Sequence, residues 1–252
     1  MEHAQELAAE VHDYCVENQD PEKAQAWARY FKEGYDAWGL LDKENPLWSE
    51  RQQEWLDRYS ELGFSGFLEA GEILIASGKF EEASMAIRFL SDLRDQVDEA
   101  AFAELARYFR AGISNWAHAD VLSSEVLAPA LTSGRATLAV LAPWRTSELK
   151  YQRRAVPVSM LGLLKTPAPI GPLLEFLRPL MLDAERVVQQ GLGWFLREAW
   201  KKYPQPVEAF LTEWKDTAPR LIFQYATEKM TLADRNRFRA APKRKAAGRG
   251  AT

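Results

Sequence analysis

Apolar residues recur along the chain at i, i+3, i+4 and i+7, and alternation over five or more positions is nearly absent, a pattern that predicts helices throughout. Leu7, Val11, Tyr14 and Cys15 form the first stripe, over residues 3–17. The turn signal Asn18-Gln19-Asp20-Pro21 ends it. Pro21 can open the next helix, because the N–H it lacks has no helical partner there; that helix is predicted to run to about Trp38. Further helices are predicted at about 48–60, 65–77, 79–95, 97–112, 116–131, 135–142, 146–165, 171–182, 184–203, 205–215, 218–229 and 231–239. Pro157 lies inside one of these and is expected to kink or break it near Arg154. Helices of this length joined by short loops suggest stacked helical hairpins within one domain over residues 1–238. The basic segment from about residue 239 has no apolar stripe and reads as a disordered tail.

Composition narrows the class. Of 252 residues, 47% are hydrophobic and 27% charged, and no apolar run approaches the length of a bilayer span, so the expectation is a cytoplasmic protein without a membrane segment. The first residues are acidic and polar, unlike a secretory signal. One cysteine, Cys15, excludes an internal disulfide, and with three histidines it cannot supply a usual Cys/His zinc site. No cofactor is expected. The net charge of −4 conceals a gradient: residues 1–100 carry 9 Lys/Arg against 23 Asp/Glu, whereas residues 143–202 carry 10 against 5. A polyanion would therefore be met through the C-terminal half, although such asymmetry also arises from solvated helix faces.

P-loop, Rossmann, zincin, CxxC and nucleophile-elbow motifs are all missing from the sequence. With two of the three histidines in the first dozen residues, histidine acid–base chemistry is not expected. Three segments remain. If Ser114 or Asn115 caps a helix, Trp116 and Asp120 share a face one turn apart, an aromatic wall beside a carboxylate that suits a cation or an oxocarbenium-like transition state. Taken alone, the pair also fits a core tryptophan with a surface or capping acid. Arg145, Lys150, Arg153 and Arg154 form a cationic cluster suited to phosphate, or equally to bridging helices by salt bridges. Gly191 and Gly193 within a helix imply that another helix or a ligand approaches the backbone closely. Near them lie Trp194, Arg197, Glu198, Lys201 and Lys202, with Arg197 and Glu198 expected to pair.

Together these segments resemble the DNA alkylation repair proteins of the AlkD-like type, monofunctional DNA glycosylases built from HEAT-like helical repeats. Ala28-Arg29-Tyr30-Phe31-Lys32 followed by Trp38-Gly39-Leu40 looks like the family's opening helix and turn. Trp116 with Asp120 matches its Trp-x-x-x-Asp motif, and Pro143-Trp144 followed by Arg153-Arg154-Ala155 matches the segment supplying its active-site arginine. Gly193-Trp194-Phe195-Leu196-Arg197-Glu198 is similar to its Gly-Trp-x-x-Arg-Glu signature.

The resemblance implies an all-α, HEAT-like helical-repeat solenoid whose concave groove holds double-stranded DNA containing alkylated bases; a repeat domain with a polar N-terminal helix is expected to be a monomer. The implied reaction is hydrolysis of the N-glycosidic bond of cationic N3- or N7-alkylpurines. Asp120 would stabilise charge developing on the deoxyribose, Trp116 and Trp194 would hold the sugar and backbone, and Arg154, or else Arg153, would grip a flanking phosphate. Arg145, Lys150, Arg197, Lys201 and Lys202 would add DNA contacts. The alternative is a non-catalytic helical-repeat adaptor that binds protein or structured nucleic acid. Catalysis requires Trp116, Asp120, Arg154 and Trp194 on one solvent-open surface; an Asp120 buried in a salt bridge, or a Trp194 facing the core, would be grounds to abandon it.

Overall fold

In a computed structural model, residues 2–42 and 44–239 are described. Among them all regular structure is helical. The predicted tail lies outside the described residues apart from Arg239. Contacts group the chain into two compact units, Met1–Pro169 and Ile170–Thr252, where the hydropathy pattern suggested one domain over residues 1–238.

The first unit contains α1 (Glu2–Glu17), α2 (Pro21–Ala28), α3 (Glu50–Arg58), α4 (Gly63–Ala76), α5 (Phe80–Asp92), α6 (Glu99–Glu104), α7 (Ala106–Ala111), α8 (Trp116–Leu122), α9 (Ala128–Thr132) and α10 (Lys150–Ser159). The helix starts follow the sequence signals. Asp20 caps α2 through the Lys23 N–H, with Pro21 in the first turn, and Asp98 caps α6 through the Ala101 N–H. Neighbours then stack in order: α1 on α4, α4 on α5, α5 on α8, and α8 on α10. Each contributes an apolar stripe, such as Leu7, Val11 and Cys15 on α1 or Phe67, Ala70, Leu74 and Ile75 on α4, so the core runs between the layers.

The second helix is shorter than its periodicity suggested, ending at Ala28 rather than near Trp38. Gly34 has φ +115° and Gly39 φ +86°, values open to glycine but strained for other residues, and a Cβ on Gly39 would lie 1.9 Å from the Asp20 carbonyl oxygen. The segment is held instead by α5. Buried Glu81 accepts the backbone N–H groups of Trp38, Gly39 and Leu40 at 2.8–2.9 Å. Adjacent Glu82 accepts the Trp38 indole N–H at 2.8 Å.

Two other predicted helices are interrupted. Between α8 and α9 the chain forms a π turn, Ser123–Leu127, in which the Ala128 N–H reaches the Ser123 carbonyl. Pro129 supplies a cause: its ring would clash with the carbonyl four residues back in a regular helix, and widening the turn relieves this. Pro157, by contrast, does not break the chain near Arg154. Helix α10 continues to Ser159 before tightening into the 3-10 stretch Met160–Lys165. Lying in the last turn, the proline sacrifices one backbone hydrogen bond without disturbing the turns before it.

The second unit comprises α11 (Ile170–Leu177), α12 (Arg186–Lys202), α13 (Pro204–Trp214), α14 (Arg220–Ala226) and α15 (Leu232–Arg237), with α12 packed on α13 and α14. A Cβ on Gly193 would lie 2.5 Å from Tyr225 Cβ and 2.8 Å from the Ile222 carbonyl oxygen. The close approach expected at this glycine is therefore made by a helix, α14. No helix among the described residues is long and apolar enough to cross a membrane.

Candidate functional site

Helix α8 carries Trp116 and Asp120. Its cap is Asn115, whose side-chain oxygen accepts the His118 N–H at 2.9 Å, as the sequence suggested. Trp116 is 46% exposed, and its ring stacks on Phe31 at 6.0 Å between centroids. Phe31 in turn stacks on Tyr35 at 4.6 Å. The indole is thus supported from one side by the irregular segment after α2, while a large part of it meets solvent.

One turn on, Asp120 is bound in a forked ion pair. Arg154 of α10 donates from Nε to Oδ1 at 2.8 Å and from Nη2 to Oδ2 at 2.7 Å. The arginine side chain is 7% exposed and the aspartate 16%. The salt bridge that was to speak against catalysis is therefore present, with the carboxylate largely shielded but keeping a limited opening to solvent. Of the two roles open to the paired arginines, Arg154 takes that of joining two helices.

His118, two residues from both Trp116 and Asp120, lies about 200° around the helix from each and faces inward. It is buried among polar partners: Asn115 Nδ2 lies 2.8 Å from Nδ1, and Nε2 lies 3.0 Å from the Phe80 carbonyl. These contacts suit a neutral ring donating from Nε2 and accepting at Nδ1. Burial pushes its pKa down to about 4, against an opposing contribution from the Phe80 carbonyl.

The other cations of the predicted cluster are engaged within the protein. Lys150 pairs with Glu33 at 2.8 Å, and the buried Tyr151 donates to the same carboxylate at 2.7 Å. Hydrogen bonds from Lys150 and Tyr151 hold Glu33 below the usual carboxylate range. Arg153 Nη1 donates to the Ser147 carbonyl at 2.6 Å, and Arg145 Nε to the Ala142 carbonyl at 3.3 Å. Trp144, from the same motif, is a core residue against Phe102 and Phe109.

In the second unit Trp194, Arg197, Glu198 and Lys201 share one face of α12. Trp194 is half-buried there, about 100° around the helix from the Gly193 contact. The expected Arg197–Glu198 pair is present at 3.0 Å, Arg197 also pairs with Glu228, and Lys201 pairs with Glu198 at 2.7 Å. Lys202 Nζ lies 5.2 Å from the Tyr203 ring centre.

The sequence model of the family described as DNA alkylation repair enzyme matches residues 16–230, spanning both units.

The chain belongs to this family.

A solved structure titled "Predicted DNA alkylation repair enzyme from Enterococcus faecalis" shares its fold, with a TM-score of 0.67 at 16% identity, covering 85% of this chain and 97% of that one. No curated protein matches. The Trp-x-x-x-Asp segment singled out in the sequence comprises the exposed Trp116 and the arginine-bound Asp120. Three residues around it escaped the motif reading: Phe31 as the floor of the indole, Glu33 as the partner of Lys150 and Tyr151, and His118 as the inner anchor of α8. His118 could have been inferred from helical phase, since it lies midway between two outward-facing residues. Phe31 and Glu33 could not, because their segment looked helical and its partners are distant in sequence.

Proposed function

We propose that this family member is a DNA glycosylase that hydrolyses the N-glycosidic bond of cationic N3- or N7-alkylpurines in duplex DNA. The observation that carries the reading is the exposed Trp116 indole one turn from the partly open Asp120 carboxylate on α8. In the reaction the C1′–N bond breaks, the alkylated base departs neutral because it was already cationic, and a water oxygen bonds to C1′ with loss of a proton. No strong general acid is needed for such a leaving group.

The ion pair changes the roles from those the motifs suggested. A carboxylate paired with a guanidinium stabilises nearby positive charge less than a free one. Arg154 occupies one lone-pair direction on each oxygen, so lone pairs remain to accept a hydrogen bond from the attacking water. Asp120 is accordingly assigned to orienting that water and facing the developing oxocarbenium charge. Arg154 is a positioning residue that fixes the carboxylate, rather than a phosphate grip. Trp116 offers its open π face to the sugar and its cationic neighbour. Trp194 is assigned a DNA contact from the second unit.

A second reading, a non-catalytic binder, draws support from the same ion pair and from the neutralisation of Lys150, Arg197 and Lys201 by Glu33, Glu198 and Glu228. The deciding experiment measures release of 7-methylguanine from methylated duplex DNA by the wild-type chain and by Asp120→Asn, with thermal unfolding to verify that both are folded. Release by the wild type and at least about a hundredfold less by the variant is expected. Equal rates would remove Asp120 from the mechanism, and no release by the wild type would favour the binder.

A further inference from the structure

On the first unit, between α5, α8 and the short 3-10 turn Pro46–Trp48, lies a cavity of about 550 Å³. Its walls include Trp48, Phe80 and Val121, and its polar groups come from Ser84, Arg88 and His118. Sites of this size take small organic molecules, with an apolar lining for the body and a few polar groups to orient it. The cavity adjoins Ala117 and Val121, each one residue on from Trp116 and Asp120, and therefore faces about 100° around α8 from the proposed reaction surface.

The polar inventory defines what would fit. His118 has both ring nitrogens committed, to Asn115 and to the Phe80 carbonyl. The Ser84 hydroxyl donates to the Phe80 carbonyl at 2.8 Å and lies 3.0 Å from His118 Nε2, which leaves one of its lone pairs open. Arg88 is half-buried. Its Nε donates to Gln52 Oε1 at 2.6 Å, its Nη2 to the Trp48 carbonyl at 2.7 Å, and its guanidinium carbon lies 5.5 Å from the Trp48 ring centre. These contacts fix the guanidinium while leaving the two Nη1 hydrogens uncommitted, and all its hydrogen-bond partners are neutral.

Among the described residues no carboxylate contacts Arg88 directly; the nearest link is through Gln52, whose amide donates in turn to Asp92. In the same acid-rich first hundred residues Arg51 is paired with Glu54, Arg58 with Glu10 and Lys79 with Asp36. Acids are abundant, yet among the described residues none pairs with the one arginine that lines the cavity. A partly desolvated charge with oriented, unused donors favours an anion. Ser84 and Arg88 lie four residues apart on α5, so a hydrogen-bond acceptor and a cationic donor stand on the same side of one helix, about one turn apart.

We propose that this cavity is a binding site for a bicyclic heteroaromatic carboxylate. The carboxylate would pair with Arg88, a ring N–H would donate to Ser84, and the flat body would lie among Trp48, Phe80 and Val121. The proposal stands apart from the glycosylase reading, since it uses neither Trp116 nor Asp120.

The test is isothermal titration of the full chain with indole-3-acetate and with its neutral analogue indole-3-acetamide. The acid should bind at least about tenfold more tightly than the amide, the size of effect expected from one charge-assisted contact. Arg88→Gln should abolish that preference. Val121→Phe, at a 43% exposed position where a larger side chain can extend into the opening, should abolish binding of both ligands. No binding of the acid at millimolar concentration, equal affinity for acid and amide, or undiminished binding by Val121→Phe would each overturn the proposal. The acid-against-amide comparison uses the wild-type chain alone, so a misfolded variant cannot rescue it.

Discussion

Replacing His118 by glutamine should change the pH dependence of stability in a calculable way. In the unfolded chain a histidine titrates near 6.5, whereas burial in the native state holds His118 near 4. Between those values the unfolded chain binds more protons, so native stability falls as pH drops from about 6.5 towards 4, and the loss ceases to grow below 4. The separation corresponds to about 3 kcal/mol in full and about 2 kcal/mol by about pH 5. A glutamine at this position does not titrate and carries no such penalty. Urea unfolding of wild type and His118→Gln, followed by circular dichroism at about pH 7 and about pH 5, gives four free energies whose double difference cancels groups common to both proteins. The wild type should lose about 2 kcal/mol more than the variant over that interval. Equal losses would mean that the native imidazole protonates without penalty, and the neutral, doubly committed ring described above would then be wrong.

Three further outcomes follow from specific contacts. Gly193→Ala should destabilise the chain by about 1–3 kcal/mol, because the new methyl meets the α14 backbone and Tyr225; an unchanged urea midpoint would show that α14 moves freely. Arg154→Met should cost about 3 kcal/mol by leaving Asp120 unpaired, and Asp120→Leu combined with Arg154→Met should recover much of it. Failure of the double variant to recover would mean that packing, not the uncompensated carboxylate, dominates. Glu33→Gln removes the charge that neutralises Lys150, so duplex binding should strengthen and its dependence on log salt should steepen by about one phosphate contact. An unaltered slope would place Lys150 outside the DNA interface.

Local signals in the sequence were reliable guides where short-range physics decides the structure. Asp20, Asp98 and Asn115 cap helices because their side-chain oxygens reach N–H groups three residues on, and Gly193 marked a real close approach. The pattern misled wherever distant partners intervened. Residues 29–38 have helical periodicity, yet they are drawn out by Glu81, Glu82 and the Phe80 backbone, and no local feature announces that competition. Trp116 and Asp120 were legible as one face of a helix. The binding of Asp120 by Arg154, and of Lys150 by Glu33, was not, because the partners stand 34 and 117 residues apart in sequence. Counting the basic residues of a segment therefore overstated the charge available to a ligand: several had already been matched with acids from elsewhere in the chain.

The π turn after α8 also sets the angular phase of the proposed reaction surface. A π turn holds one residue more than the α-helical path it replaces, and one residue corresponds to about 100° of rotation. Relative to a continuous helix, the extra residue shifts the face bearing Trp116 and Asp120 by about that amount with respect to the face α9 buries in the core. Excising Ser124 while replacing Pro129 with Ala would allow a single continuous helix. If α9 kept its seat, Trp116 and Asp120 would turn away from Arg154 and Phe31, and a deletion of one residue beyond the motif would undo it with every motif residue intact.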